Sequence, residues 1–355
     1  MPINHKRVPR VQVVIASPLE ADLIGQLRSL DDRLEIRWEP DLLPPPYYPS
    51  GYRRPTSFPR NAEQAAGWRA LISEAEVLFG IPGGSPEGLA DAVRTGPRLR
   101  WIQATAVGAG QQLAAASLSS EDLERVTITS ADGVQAGPLS EFALFGLLAF
   151  ARDLPRLLED KEARRWSHYP TTELRGRTVV IVGVGAVGTE IARLSHALGM
   201  RTIGVTRQGI SDSPYLYEVR PPIDLPQLLR RADAVVMTLP LTDETSNLLD
   251  SDAIAAIKPG AILVNVGRGG VVDEPALIDA LASGHLSGAA LDGFATEPLD
   301  PDSPLWELPN VIISPHTAAL AEAENARIVS VFADNLRRYL AGDPLRNRVD
   351  PSLPY

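Results

Sequence analysis

Thr178-Val-Val-Ile-Val-Gly-Val-Gly-Ala-Val-Gly188 is the most informative stretch of this 355-residue sequence. Its apolar, β-branched beginning predicts a buried strand over residues 178–182, and the residues after the first glycines predict a helix over 186–198. Glycines at such a junction have two interpretations, an ordinary turn or a loop that holds the phosphates of a dinucleotide. The spacing Gly-x-Gly-x-x-Gly directly after a buried strand favours the dinucleotide.

Each glycine of this turn has a separate predicted role. Gly183 would permit the tight turn, Gly185 would let the backbone approach a pyrophosphate, and Gly188 would let the helix pack closely on the strand. The helix N-terminus, at Ala186 and Val187, would offer free N–H groups and a favourable dipole to the phosphates. We therefore predict that these five residues bind a dinucleotide cofactor.

Length and composition are those of an ordinary globular protein. The 355 residues are enough for two domains, and 44% hydrophobic with 22% charged residues is a typical balance. The net charge of −10 argues against a general nucleic-acid or anionic-membrane binder. The absence of cysteine excludes disulfides, thiolate metal sites and cysteine nucleophiles, and we predict no metal site. Since neither a membrane-spanning run nor the apolar core of a secretory signal is found, we expect a cytoplasmic protein.

Strand-like and helix-like segments alternate along both halves of the chain. Short apolar runs predict strands at residues 11–17, 34–38, 76–79, 99–104 and 126–129, and then at 201–205, 234–238, 261–266, 287–291 and 311–313. Helical patterns stand out over 138–158 and 319–340. Such alternation predicts two doubly wound α/β units, each with a parallel sheet covered by helices on both faces.

A Pro- and Tyr-rich segment, residues 40–59, interrupts this alternation. It is too rich in proline for a helix or a central strand, so an extended loop is predicted. One hypothesis is a lid over a substrate site, because the segment leaves the carboxyl end of a predicted strand. The lid residues would come from among Tyr47, Tyr48, Tyr52, Arg53 and Arg54. A surface loop or a dimer contact is an equally good interpretation.

Polar residues follow three predicted strands after the glycine turn. Arg268 lies in a glycine-flanked turn, Asp292 and Glu297 follow the next strand, and His316 follows the last one. Each has a plain alternative, namely a surface arginine, solvated loop acids or a structural histidine. Because ligands of open parallel sheets bind beyond the carboxyl ends of the strands, these side chains are predicted to converge.

Taken together, these motifs resemble the D-isomer-specific 2-hydroxyacid dehydrogenase family. The resemblance extends from about Leu99 to the C-terminus and rests on residues 183–188, 265–270, 291–298 and 314–316. It implies an α/β fold in which a Rossmann dinucleotide-binding domain, residues 135–318, is inserted into a smaller flavodoxin-like substrate domain, residues 1–134 and 319–355. It also implies a homodimer formed through the cofactor domains.

The resemblance assigns a catalytic trio. His316 would protonate the keto oxygen of the substrate, and Glu297 would hydrogen-bond the other ring nitrogen and favour the imidazolium. Arg268 would bind the substrate carboxylate and polarise the carbonyl. Asp292 matches the family's acid near the nicotinamide carboxamide.

An upstream loop matches the family's carboxylate-binding loop. The backbone N–H groups of Val107, Gly108 and Ala109 would hold the substrate carboxylate, although an ordinary strand-to-helix turn is the alternative. The next residue, Gly110, departs from the aspartate that many relatives have there. Further cofactor contacts are predicted near the ends of later strands, at Leu239, Pro240, Val266 and Gly267.

The cofactor preference depends on a second departure from the family pattern. Thr206 follows the second Rossmann strand, where an acid often binds the adenosine ribose, and Arg207 comes next. Loss of the acid removes a repulsion, and the Arg207 guanidinium would pair with a 2′-phosphate. NADP(H) is therefore favoured and NAD(H) remains possible. The alternative is a solvent-facing Arg207 in an enzyme that uses either cofactor.

The activity implied by the resemblance is NAD(P)H-dependent reduction of a 2-keto acid to a D-2-hydroxy acid. The substrate would be a small molecule such as glyoxylate, hydroxypyruvate or a larger analogue. Formate dehydrogenases of this family have glutamine in place of Glu297, whereas a carboxylate suits proton donation to a ketone; phosphoglycerate dehydrogenase stays open. The rival hypothesis is a non-catalytic, dinucleotide-sensing regulatory protein of the same fold, which can retain the trio.

Overall fold

The computed structural model describes residues 10–44, 58–106 and 109–351. Contacts divide the chain into two compact units, Met1–Val134 with Ala321–Tyr355, and Gln135–Leu320. Each unit contains one parallel β-sheet whose strands are joined through helices. The predicted α/β fold class with two doubly wound sheets is therefore confirmed.

The first unit contains a five-stranded sheet. Its strands are β1 (Val11–Ile15), β2 (Leu34–Arg37), β3 (Val77–Phe79), β4 (Trp101–Gln103) and β5 (Thr127–Thr129). Its helices are α1 (Ala21–Arg28), α2 (Ala62–Glu74), α3 (Pro86–Thr95), α4 (Ala109–Ala115), α5 (Ser120–Arg125) and α12 (Glu324–Ala341). The spatial order β2-β1-β3-β4-β5, with neighbouring strands parallel, is the flavodoxin-like order.

Both faces of this sheet are buried, which explains the continuous apolar runs of its strands. On one face, Val14 and Leu78 belong to a core shared with α2 and α3. On the other face, the Phe332 ring of α12 lies 5.0 Å from the ring of Phe79 and 5.1 Å from that of Trp101, measured between centroids. The amphipathic C-terminal helix predicted from the sequence thus completes the core of the first unit.

The second unit contains a seven-stranded sheet. Its strands are β6 (Thr178–Val182), β7 (Arg201–Val205), β8 (Glu218–Arg220), β9 (Ala234–Met237), β10 (Ala261–Asn265), β11 (Leu286–Leu291) and β12 (Val311–Ile313). Its helices are α6 (Ala136–Ala151), α7 (Leu154–Glu162), α8 (Ala186–Ala197), α9 (Leu225–Leu229), α10 (Ser251–Ala256) and α11 (Glu274–Ala282). The strands are parallel in the order β12-β11-β10-β9-β6-β7-β8, the Rossmann order extended by one strand.

The position of β6 in this order determines where a ligand would bind. β6 pairs with β7 on one side and with β9 on the other. The chain therefore changes direction across the sheet at β6, and the glycine turn that follows it lies at the topological switch point. Crevices at the carboxyl ends of the strands at such a point bind ligands in open α/β sheets.

Three elements differ from the sequence predictions. The sequence does not predict β8, because this edge strand has the residues Glu-Val-Arg, none of which is buried. The helical region predicted at 138–158 is two helices, since α6 ends before Arg152 and Asp153 adopts a φ of 56°. Pro40–Leu42 forms a turn of 3-10 helix where an extended loop is predicted.

The hypothetical lid lies outside the described residues. All five of its candidate members, Tyr47, Tyr48, Tyr52, Arg53 and Arg54, belong to residues 45–57. The lid therefore stays a prediction. In the described part of the chain, no helix is both long and apolar enough to cross a membrane.

Candidate active site

The turn after β6 contains three glycines with different surroundings. Gly183 has a φ of 100°, and a Cβ atom there would lie 2.5 Å from Thr238 Oγ1. A Cβ atom on Gly188 would lie 2.0 Å from the Gly183 carbonyl oxygen, so close packing of α8 on the turn requires glycine at this position. A Cβ atom on Gly185, in contrast, would meet no atom within 4 Å. The backbone at Gly185 is therefore open to a ligand.

The open side of this turn adjoins the first turn of α8. The N-cap residue Gly185 has no side chain with which to cap the helix, Ala186 is exposed and Val187 is half-buried. The first N–H groups of a helix have no partner within the helix and attract anions. The arrangement fits a pyrophosphate, which would accept hydrogen bonds from these N–H groups.

The ends of β9 and β10 adjoin the same turn. A Cβ atom on Gly183 would lie 2.9 Å from Leu239 Cδ2, and one on Gly267 would lie 2.6 Å from the Leu239 carbonyl oxygen. Pro240 is exposed and Val266 is buried. Leu239 and Gly267 thus lie beside the predicted phosphate site, although the cofactor contacts of all four residues remain predictions.

Thr206 and Arg207 begin a tight turn after β7. The Thr206 hydroxyl accepts the Ile210 N–H at 3.1 Å and donates to the Ile210 carbonyl at 3.0 Å. The Gly209 N–H donates to the Thr206 carbonyl at 3.1 Å. Arg207 is exposed in this turn. Thr206 therefore has a structural role of its own, and Arg207 is held on the surface at the end of β7.

Arg268 lies in a turn that is fixed from three sides. Its N–H donates to the Leu239 carbonyl at 3.2 Å, and its carbonyl accepts the Asn265 side-chain amide at 3.1 Å. A Cβ atom on the next residue, Gly269, would lie 1.9 Å from the Phe294 carbonyl carbon, so the turn packs directly on the backbone after β11. The Arg268 residue itself is exposed. A guanidinium presented in this way suits a carboxylate ligand.

The side chains of His316 and Glu297 form a hydrogen-bonded pair. His316 Nδ1 lies 2.8 Å from Glu297 Oε2 and 3.1 Å from Oε1. Glu297 Oε1 also accepts the Phe294 N–H at 3.1 Å, which fixes the carboxylate. Because Nδ1 faces the carboxylate, Nε2 is the ring nitrogen left to exchange a proton with a ligand.

The environment of Glu297 keeps its carboxylate ionised. Desolvation opposes the charge, but the hydrogen bonds from His316 and the Phe294 N–H, with the charges of His316 and Arg268, lower the pKa of Glu297 below its ordinary value. An ionised carboxylate at Nδ1 fixes the orientation of the His316 ring and leaves Nε2 available to a ligand.

The backbone that presents His316 is unusual. His316 has a φ of 57°, in the left-handed region, and its N–H donates to the Ser314 carbonyl at 2.8 Å. A left-handed conformation at a residue other than glycine needs support from its surroundings. Here the support includes Asp292, which is 3% exposed and accepts the Ser314 hydroxyl at 2.6 Å and the Ala318 N–H at 2.9 Å. Asp292 thus stabilises the His316 loop through hydrogen bonds. Its contact with the nicotinamide carboxamide stays a prediction.

Ser314 and Asn265 are residues that reasoning from the sequence missed as members of the site. Both belong to motifs that support the resemblance: Ser314 lies two residues before His316, and Asn265 lies three residues before Arg268. A small polar residue at the end of a strand before a tight turn is the available signal, since such residues bond nearby backbone groups.

The predicted carboxylate loop belongs to the first unit. Ala109 is buried and begins α4, and Gly110 is buried beside it. Val107 and Gly108 lie outside the described residues. The role of this loop therefore remains a prediction from the resemblance. Within residues 10–44, 58–106 and 109–351, no group of three or more His, Cys, Asp or Glu residues is placed to hold a metal ion.

Comparison with known proteins gives a consistent result for this site. Residues 144–318 match the family model of the D-isomer-specific 2-hydroxyacid dehydrogenase NAD binding domain. A putative 2-hydroxyacid dehydrogenase from Haemophilus influenzae is 31% identical over 256 residues, which are 69% of this chain and 78% of that protein. Glyoxylate/hydroxypyruvate reductase B from Pectobacterium carotovorum is 32% identical over 288 residues, or 79% and 88% of the two chains.

Solved structures agree with the sequence relatives. A D-isomer-specific 2-hydroxyacid dehydrogenase from Xanthobacter autotrophicus, in complex with NADPH and MES, is 28% identical with a TM-score of 0.74, and the match covers 98% of this chain and 100% of that one.

A further relative by sequence is longer than this chain. D-3-phosphoglycerate dehydrogenase from Mycobacterium bovis is 34% identical over 282 residues, but this match spans only 51% of that longer protein. On the identity and coverage of these relatives, the chain belongs to the D-isomer-specific 2-hydroxyacid dehydrogenases, a family of NAD(P)-dependent oxidoreductases.

Proposed function

We propose that this protein reduces a small 2-keto acid to the D-2-hydroxy acid, with NADPH as the preferred hydride donor. The observation that supports this most is the His316–Glu297 pair, with 2.8 Å between Nδ1 and Oε2, in the same unit as the exposed Arg268. Relatives named as glyoxylate/hydroxypyruvate reductases support glyoxylate and hydroxypyruvate as the first candidate substrates. Oxidation of NADPH on addition of these keto acids tests the proposal.

Reduction of a keto acid adds a hydride to the carbonyl carbon and a proton to the carbonyl oxygen. The glycine turn after β6 would hold NADPH, which when bound would supply the hydride. His316 would donate its Nε2 proton to the carbonyl oxygen, and Glu297 would hold the imidazolium and its orientation through Nδ1. Arg268 would bind the carboxylate of the substrate through its planar fork and stabilise negative charge at the carbonyl oxygen.

Glu297 should determine the pH range of the reaction. Its pKa is below the ordinary value, so the carboxylate is charged at neutral pH and loses its charge only as the pH falls into the acid range. In Glu297→Gln no ionised carboxylate faces Nδ1, so kcat/KM for keto-acid reduction should be lower than in the wild type at neutral pH. The ratio of variant to wild-type kcat/KM should rise toward acid pH, where the wild-type carboxylate also loses its charge. The measurement is the pH dependence of reduction in both proteins. A ratio that does not change with pH would contradict this role of Glu297.

Arg207 should determine the preference for NADPH. A 2′-phosphate would gain charge-assisted hydrogen bonds from this exposed guanidinium, and the sequence of the turn, residues 206–210, contains neither Asp nor Glu. Arg207→Gln should lower kcat/KM for NADPH by about 10- to 100-fold and leave that for NADH almost unchanged. Arg201→Gln is the control, because Arg201 is an exposed arginine at the other end of β7. A wild-type protein that prefers NADH would show that the assignment to NADPH is wrong.

A second copy of the chain is the proposed partner of the α6–α7 hairpin. Exposed apolar side chains concentrate there: Phe145, Leu148, Leu157 and Leu158 are 42–55% exposed, and Trp166, just after α7, is 91% exposed. Pairing of two identical hairpins would remove these side chains from water. In sedimentation velocity we expect a wild-type dimer and a monomer for Leu157→Glu with Leu158→Glu. Ile223→Glu, an exposed apolar site outside the hairpin, should remain dimeric. A monomeric wild type would overturn the proposal.

A further inference from the structure

Asn265 is a buried polar residue whose side chain makes hydrogen bonds to two backbone groups of the turn that contains Arg268. It is the last residue of β10 and is 1% exposed. Its Oδ1 accepts the Gly267 N–H at 3.0 Å, and its Nδ2 donates to the Arg268 carbonyl at 3.1 Å. One planar amide therefore holds a donor and an acceptor of the same tight turn.

The backbone of Asn265 makes a further connection. Its carbonyl accepts the Asp292 N–H at 3.0 Å, which continues the pairing of β10 with β11 beyond the strands. Asp292 in turn accepts the Ser314 hydroxyl in the loop that presents His316. Asn265 is thus bonded directly to the Arg268 turn and, through Asp292, to the His316 loop.

We propose that Asn265 is a positioning residue that sets the orientation of Arg268 toward the substrate carboxylate. The inference rests on the proposed reduction of a 2-keto acid. The Arg268 side chain leaves a backbone that is held at its N–H by Leu239 and at its carbonyl by the Asn265 amide. Without the Asn265 bond, the Arg268 carbonyl keeps only the longer hydrogen bond from the Val271 N–H, at 3.3 Å. The peptide after Arg268 then has more freedom to rotate, which changes the direction of the guanidinium. A misplacement of about 1 Å at a substrate-binding group lowers the rate by about 100-fold.

Asn265→Asp separates the two bonds of the amide. The carboxylate still accepts the Gly267 N–H, but it cannot donate to the Arg268 carbonyl until it is protonated. We therefore expect kcat/KM for the keto acid to fall by about 10- to 100-fold at alkaline pH, mainly through a higher KM. Toward acid pH the protonated carboxyl regains a donor, and the ratio of variant to wild-type kcat/KM should rise. Affinity for NADPH, measured by fluorescence titration, should change less than about twofold, since the Gly267 bond is kept.

Asn310→Asp is the matched control. The Asn310 side-chain amide also donates to a backbone carbonyl, that of Leu281, at 3.2 Å in the same unit. This variant should show a pH-independent ratio to wild type and an unchanged KM for the keto acid. Melting temperatures of both variants identify any general loss of stability.

A double-mutant cycle tests whether Asn265 acts through Arg268. The lysine of Arg268→Lys cannot form two parallel hydrogen bonds with a carboxylate. In this background, Asn265→Asp should lower kcat/KM for the keto acid by a much smaller factor than it does in the wild type. Full additivity of the two losses, or a pH-independent ratio for Asn265→Asp, would overturn the positioning role. These outcomes differ from failure of the proposed function itself, in which the wild-type protein would reduce none of the keto acids.

Discussion

His316→Asn is expected to lower kcat for keto-acid reduction by about 100- to 10,000-fold, because the side chain that remains cannot deliver a proton to the carbonyl oxygen. The hydrogen bond of His316 Nδ1 to Glu297 shows that the ring is oriented by an ionised partner. Steady-state reduction of glyoxylate and hydroxypyruvate measures the effect. NADPH affinity should be almost unchanged, since the glycine turn after β6 is untouched.

His285→Asn is the control for this substitution. His285 is a half-buried histidine of the same unit, and its Nε2 lies 3.2 Å from the Ile254 carbonyl oxygen, so it also makes one side-chain contact. We expect its kcat to equal that of the wild type. If His316→Asn retained wild-type kcat, or lost activity only because NADPH no longer bound, His316 would not be the general acid.

Arg268→Met is expected to lower kcat/KM for the keto acid by about 100- to 1,000-fold, with a higher KM, because both the carboxylate contact and the charge near the developing oxyanion are lost. Arg268→Lys should recover only part of this loss, since an ammonium cannot form two parallel hydrogen bonds with a carboxylate. The measurement is the dependence of rate on keto-acid concentration at saturating NADPH.

The control for Arg268 is another exposed arginine of the second unit. Arg230 follows α9 directly and is exposed. Arg230→Met therefore makes the same change in charge and in side-chain length as Arg268→Met. It should leave the keto-acid KM unchanged. An equal rise of KM in both variants would indicate a general effect of charge and would contradict a specific carboxylate contact at Arg268.

Much of the second unit was predictable because its signals are local. A buried β-branched strand followed by Gly-x-Gly-x-x-Gly requires a tight turn, and Gly183 does adopt a positive φ. In a parallel sheet the carboxyl ends of all strands meet at one edge, which is why Arg268, Glu297 and His316 could be grouped from their positions after predicted strands. The hydrogen bond between Glu297 and His316 is consistent with the pairing inferred from the resemblance.

Other features depend on contacts distant in sequence and were not predictable. The edge strand β8 has no apolar pattern and exists because its backbone pairs with β7. Asp292 supports the His316 loop through its hydrogen bond with Ser314, a residue 22 positions away in the sequence. In each case a tertiary contact determines the role of a residue whose local sequence is unremarkable.

The most direct test of the proposed function is consumption of NADPH and NADH by the purified protein with glyoxylate, hydroxypyruvate, pyruvate, phenylpyruvate and 2-ketoisocaproate. We expect turnover of at least one keto acid with NADPH, formation of the D-2-hydroxy acid, and loss of that turnover in His316→Asn. A protein that binds NADPH but reduces none of these compounds, in the wild type as in the variant, would contradict the reductase and favour a dinucleotide-sensing protein of the same fold.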